Sequence, residues 1–135
     1  MASDDFGFFF KQRERAAEEY TNGNPAPVVD LVPQDGDATF HSPGGDTVKG
    51  REAVAERYGS DAKRFRPGSE TELEVLQSAE SGDMAFWTGF QRAKVQMAGK
   101  DEPVPMKIRV TEVFRRENGE WKMIHRHADM GKPPQ

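Results

Sequence analysis

Cysteine is absent from this chain. That excludes disulfide staples and thiolate nucleophiles, so stability must come from packing and polar contacts. Long apolar runs are missing too. None approaches the ~20 residues that a membrane-spanning helix requires. The opening stretch, MASDDFGFFF, carries acids where a secretory leader carries bases, and its apolar run is short. A cytoplasmic protein with no membrane partner is expected. Nor is there an excess of basic charge: 19 basic residues against 23 acidic ones give a net charge of -4. Nucleic acid is therefore not an expected partner, because phosphate binding calls for a basic surface. No phosphate loop, nucleophile elbow or dinucleotide fingerprint occurs, and no cofactor is expected.

The residues that are present describe a globular domain, 35% hydrophobic and 31% charged. A single domain over 1–130 is expected, followed by a short disordered tail, GKPPQ, at 131–135. Phe6, Phe9, Phe10, Ala16, Ala17 and Tyr20 recur at helical spacing between Lys11, Arg13, Glu14 and Glu18. This pattern predicts a helix over 6–22. TNGN ends it, and Asn24 with Pro25 starts a short second helix over 25–32. REAVAERYGSDAKRF predicts a third over 51–65, ended by RPGS. Behind it lie alternating segments that read as strands. The last two are joined by Asn118-Gly119, a dipeptide suited to a hairpin turn because both positions need positive φ. The expected class is α+β, with three helices on one face of an antiparallel sheet.

Two histidines stand near the end, in WKMIHRHADM, and the hairpin predicts their direction. With a two-residue turn and regular pairing, Phe114 faces Met123, Glu112 faces His125 and Val110 faces His127. Ile108, Val110, Glu112, Phe114, Trp121, Met123, His125 and His127 then share the more apolar face, under the helices. Arg109, Thr111, Val113, Ile124 and Ala128 share the outer face, where their mixed polarity suits a homodimer contact. A slip of one residue would reverse the assignment. For His125 and Glu112 three readings stay open: a satisfied polar pair fixing the register, a pair lining a cavity and acting on a ligand, or part of a metal site with His127 and Asp129. No third ligand with matching spacing accompanies the two histidines, so no metal is expected.

The segments NGNPAPVVDLVPQDGDATFHSPGGDTVKGREAV and VTEVFRRENGEWKMIHRHAD resemble the SnoaL-like and ketosteroid-isomerase-like branches of the nuclear transport factor 2-like superfamily. FRRENGEWKMIHRH is also similar to the association domain of calcium/calmodulin-dependent kinase II. The resemblance implies a cone-shaped, curved antiparallel sheet covered by three N-terminal helices, a deep apolar pocket and a homodimer. It implies pocket residues at Trp87, Gln91, Glu112, Phe114, His125 and His127, with Met123 in the walls and Asp30 and His41 within reach. Where ketosteroid isomerases carry a helix-one tyrosine and a general-base aspartate, this chain has Ala16 and Ser42. Only the acid, Glu112, is retained. The expected function is a small-molecule pocket protein for an apolar or amphipathic ligand. It would be a cofactor-free isomerase, cyclase or hydratase with His125 as acid or base and Glu112 orienting it, or a non-catalytic ligand-binding or oligomerisation module of the same fold.

Overall fold

A computed structural model describes residues 2–132. Of the tail expected at 131–135, residues 133–135 lie outside the described residues. Helix α1 spans Ala2–Thr21, four residues longer at its start than its apolar period indicated. Phe6, Phe9, Arg13, Ala16 and Ala17 form its buried stripe, at the i, i+3, i+4 spacing that keeps one helix face inward. At its end Thr21 Oγ1 donates to the carbonyl of Ala17, and Gly23 takes φ 96, a conformation glycine adopts without steric penalty. Helix α2 is one turn, Ala26–Val29, because Leu31 and Val32 bond three residues back and tighten away from α geometry. Helix α3 covers Arg51–Ala62 and buries Val54, Tyr58 and Ala62.

Six strands follow or interleave: β1 Thr39–His41, β2 Thr47–Lys49, β3 Phe65–Ser81, β4 Met84–Met97, β5 Val104–Glu117 and β6 Glu120–Asp129. Their order in the sheet is β2-β1-β6-β5-β4-β3. Two features correct the expected cone-shaped antiparallel sheet. The pairing of β1 with β6 is parallel, so the sheet is mixed. It also ends on two separate edges, β2 and β3, and stays open. Side-chain alternation encodes faces but not strand direction, so a parallel pair cannot be read from it. Under the sheet, Phe6 and Phe9 pack on Phe114 with ring centroids 5.4 and 5.2 Å away, which joins α1 to the C-terminal part of β5.

The hairpin of β5 and β6 begins as expected. Asn118 and Gly119 have φ 51 and 80, Glu117 faces Glu120, and Phe114 faces Met123. Then the register shifts between Val113 and Phe114, so that His125 faces Val113, Arg126 faces Glu112, His127 faces Thr111 and Ala128 faces Val110. Ile124 is the extra residue of a β-bulge. Past such a bulge each residue turns to the face opposite the one that strict alternation assigns. The expected pairs Glu112–His125 and Val110–His127 are therefore replaced. Ala128, expected outside, is fully buried.

Candidate functional site

Glu112 is buried completely, and a carboxylate removed from water needs partners on both oxygens. Three elements supply them. The stripe of α1 presents Arg13, whose Nε donates to Oε1 at 2.9 Å and Nη2 to Oε2 at 2.7 Å. Strand pairing sets Trp87 opposite Glu112, and its indole Nε1 donates to Oε1 at 2.7 Å. The bulge turns Arg126 inward, where Nη1 donates to Oε2. Arg126 Nη2 also donates to Gln91 Oε1 at 3.0 Å. A guanidinium suits this arrangement, since Arg13 spans both carboxylate oxygens with one forked edge while Arg126 divides its two terminal nitrogens between Glu112 and Gln91.

These neighbours decide the charge state. Burial alone would raise the Glu112 pKa, but attraction to Arg13 and Arg126 and the bonds from Arg13 and Trp87 outweigh it and hold the value at about 2, against an ordinary 4.5. For Arg13 burial lowers the pKa, and the charge of Glu112 more than restores it. A depressed carboxylate pKa contributes stability above pH 4.5, and the contribution is lost as pH falls towards 2. A drop of this size corresponds to roughly 3 kcal/mol. In urea melts, Glu112→Gln and the parent chain should differ most near pH 6 and converge as pH approaches 2. A difference that stays constant down to pH 2.5 would contradict an ionised, paired Glu112.

Above the cluster lies a cavity of about 400 Å³ between α1, α3 and the inner face of the sheet. Ala17, Val28, Phe40 and Ile108 form apolar walls, and Arg13, Gln91 and Arg126 reach it from the floor. Tyr20 and Tyr58 line it as well. Burial raises both phenols, Tyr20 to about 12, so each is a neutral donor at pH 7. At the rim, Arg57 Nη1 binds Asp46 Oδ2 at 2.7 Å, and Arg57 Nε binds Asp61 Oδ2 at 3.0 Å. Arg64 reaches Asp61 at 3.3 Å. A larger depression of about 850 Å³ on the outer face runs past Arg92, Lys94 and Lys107, all exposed. The smaller cavity is the better site because it reaches buried charges, where polar contacts have the greatest effect.

The residues singled out from sequence divide into three groups. Glu112, Trp87 and Gln91 meet in one cluster, Gln91 at the cavity and Trp87 behind Glu112. Phe114 and Met123 are buried in the hydrophobic core and do not line the cavity. Asp30 is exposed at the end of α2, with its carbonyl accepting from Lys122 Nζ at 2.8 Å.

The three histidines sit away from Glu112, together on the outer face. The His41 ring centroid lies 4.9 Å from that of His125 and 5.2 Å from that of His127. Thr39 Oγ1 bonds His125 Nδ1 at 2.6 Å, and Thr47 Oγ1 bonds His41 Nδ1 at 2.8 Å. Partial burial, and then the neighbouring His41 and His127, lower the His125 pKa. Among the described residues no group of three or more His, Cys, Asp or Glu is arranged to hold a metal ion. The sequence reading missed Arg13, Arg126, Tyr20 and Tyr58. Arg13 left a readable trace, one cation inside an otherwise apolar helical stripe. Arg126 left none, since the bulge alone turns it inward.

A profile of the SnoaL-like domain family matches residues 14–131. No curated protein matches the sequence. Among solved structures, a protein of the NTF2-like family from Streptomyces avermitilis, provisionally named a dehydratase, superposes with a TM-score of 0.81 at 19% identity. It covers 98% of this chain and 100% of its own. A provisionally named calcium/calmodulin-dependent protein kinase type II association domain from Thiobacillus denitrificans gives 0.69 at 16% identity, covering 90% and 93%. A provisionally named ketosteroid isomerase from Parabacteroides distasonis gives 0.64 at 20% identity, covering 88% and 85%. At such identities the likeness is one of fold. Among the described residues no helix is long and apolar enough to cross a membrane.

Proposed function

This chain belongs to the SnoaL-like domain family, and we propose that it holds a small amphipathic molecule in the cavity between α1, α3 and the sheet. One observation carries the reading: the apolar walls of that cavity end on a floor of buried, hydrogen-bonded charges. Apolar enclosure with a few convergent polar groups is the usual form of a small-molecule site.

As a cofactor-free isomerase, cyclase or hydratase, the protein would use Arg13 and Arg126 to stabilise negative charge developing on a ligand oxygen. Fixed donors in a water-poor site are effective at this. Tyr58 would donate a proton. Glu112 would hold the two arginines in place, because both its oxygens are already engaged. His125 has no part in this reading, being on the outer face. The dehydratase name of the Streptomyces relative favours chemistry of this kind. One observation favours the alternative, a non-catalytic binding module. Among the described residues the cavity lining contains no histidine and one carboxylate, Asp61, which is tied to Arg57 and Arg64. A homodimer through the outer face belongs to the same reading, supported by Phe86, Phe90 and Val113, which are only partly covered.

The test is binding of 2-naphthol, a neutral probe small enough for the cavity, followed by NMR. The Trp87 indole and the residues of α1 and α3 around the cavity should shift. Ala17→Leu, which adds bulk to a wall, should abolish binding, and His125→Ala should leave it unchanged. Shifts confined to the outer face, or loss of binding with His125→Ala, would refute the cavity as the site.

A further inference from the structure

We propose that the ligand of this cavity carries a single carboxylate, received by Arg13 and Arg126. This rests on the reading of the cavity as a small-molecule site and adds the class of its ligand. Charge balance is the first support. The floor holds two guanidinium groups and one carboxylate, with neutral Gln91 beside them. One positive charge is left over in a place where Arg13 and Glu112 have almost no contact with water and the Arg126 side chain is 12% exposed. An uncompensated charge there is costly, and a ligand anion removes that cost on binding.

The second support is a free donor. Arg13 lines the cavity, and its Nη1 is buried without a hydrogen-bond partner among the described residues. Glu112 occupies the Nε and Nη2 edge, so Nη1 is the one nitrogen of this guanidinium left without a partner. The rim supplies no competing excess. Arg57 and Arg64 stand there against Asp46 and Asp61, two cations and two anions. Asp61, the one carboxylate in the lining, is already bridged by both arginines, so its repulsion of an incoming anion is weakened. The tyrosine hydroxyls are neutral donors and add none.

The excess of one charge also selects the anion. A monoanionic carboxylate neutralises it, whereas a phosphate monoester brings close to two charges and overshoots. The apolar walls and a volume of about 400 Å³ suit a compact hydrocarbon body attached to that group.

Three probes of one shape test this at pH 7 by calorimetry: 2-naphthoate, 2-naphthamide and 2-naphthyl phosphate. The carboxylate should bind about tenfold or more tighter than the amide. The phosphate should bind more weakly than the carboxylate. Arg126→Gln leaves Arg13 and Glu112 as a neutral pair, so it should erase most of the preference for the carboxylate over the amide. Should that variant fail to fold, the comparison of the three probes on the parent protein still decides. Equal or tighter binding of the amide, tighter binding of the phosphate, or a preference that survives in Arg126→Gln overturns the inference and leaves the cavity reading intact. If none of the probes binds, and 2-naphthol does not either, both fall together.

Discussion

Glu112→Gln is expected to lower the unfolding free energy by about 3–5 kcal/mol at pH 7. The residue is the one anion shared by Arg13 and Arg126, and it is wholly buried. Its neutral isostere leaves two cations close together with no charge between them. The new amide nitrogen would also face donors, since every group around the carboxyl donates to it. Arg13→Met should be less damaging, because it leaves Glu112 with Arg126 and Trp87 in a neutral pair. The order matters more than either value: removing the shared anion should cost more than removing one cation. The double variant should be no worse than Glu112→Gln alone by more than about 1 kcal/mol, because the two residues act as one unit. Denaturant titration of the three variants measures this directly. A loss below about 1 kcal/mol for Glu112→Gln would mean that the cluster is hydrated and not the buried floor described above.

Gly89→Ala is expected to cost about 3 kcal/mol, at the upper end of what overpacking does. Gly89 lies in β4 opposite Val75, beside the bulge in β3 where the register moves between Val75 and Gln77. A Cβ there would stand 1.9 Å from the carbonyl oxygen of Glu74 and 3.0 Å from the amide nitrogen of Leu76. Both are backbone atoms in a paired strand, so relief requires shifting the bulge itself. Gly59→Ala provides the contrast. It sits in α3, and a Cβ there meets nothing within 4 Å, so helix propensity predicts a gain of roughly 0.5–1 kcal/mol. One chemical change should thus move the thermal midpoint in opposite directions at the two sites. A Gly89→Ala protein that melts at the parent temperature would show that β3 and β4 do not approach as closely as described.

Local signals made much of the fold legible. The stripe Phe6, Phe9, Ala16 and Ala17 is helical because its spacing brings those residues to one side, and no distant contact is needed to see it. Asn118-Gly119 marks its own turn through the positive φ that both residues accept. The importance of Glu112 was legible too, since an acid on an apolar strand face must find partners. Its partners were not. Strict alternation pairs Glu112 with His125, and the sequence MIHRH accepts one extra residue at Ile124 without any change in the local polar pattern. Histidine and arginine are adjacent there, so either can be turned inward.

By itself, then, the amino-acid sequence determined the α+β class, the helical stripe, the hairpin turn and the presence of a buried acid, all consequences of spacing and backbone preference over a few residues. Tertiary structure alone decided the rest. Parallel pairing of β1 with β6 sets Phe40 beside Arg126 and gathers His41, His125 and His127 on the outer face. The bulge exchanges His125 for Arg126 at the floor. Arg13, 99 positions away from Glu112 in the chain, arrives only when α1 packs against the sheet. The physical reason is the same in each case. A buried charge is satisfied by whichever opposite charge the packing brings within hydrogen-bond distance, and that distance is a property of the assembled elements, not of any segment taken alone.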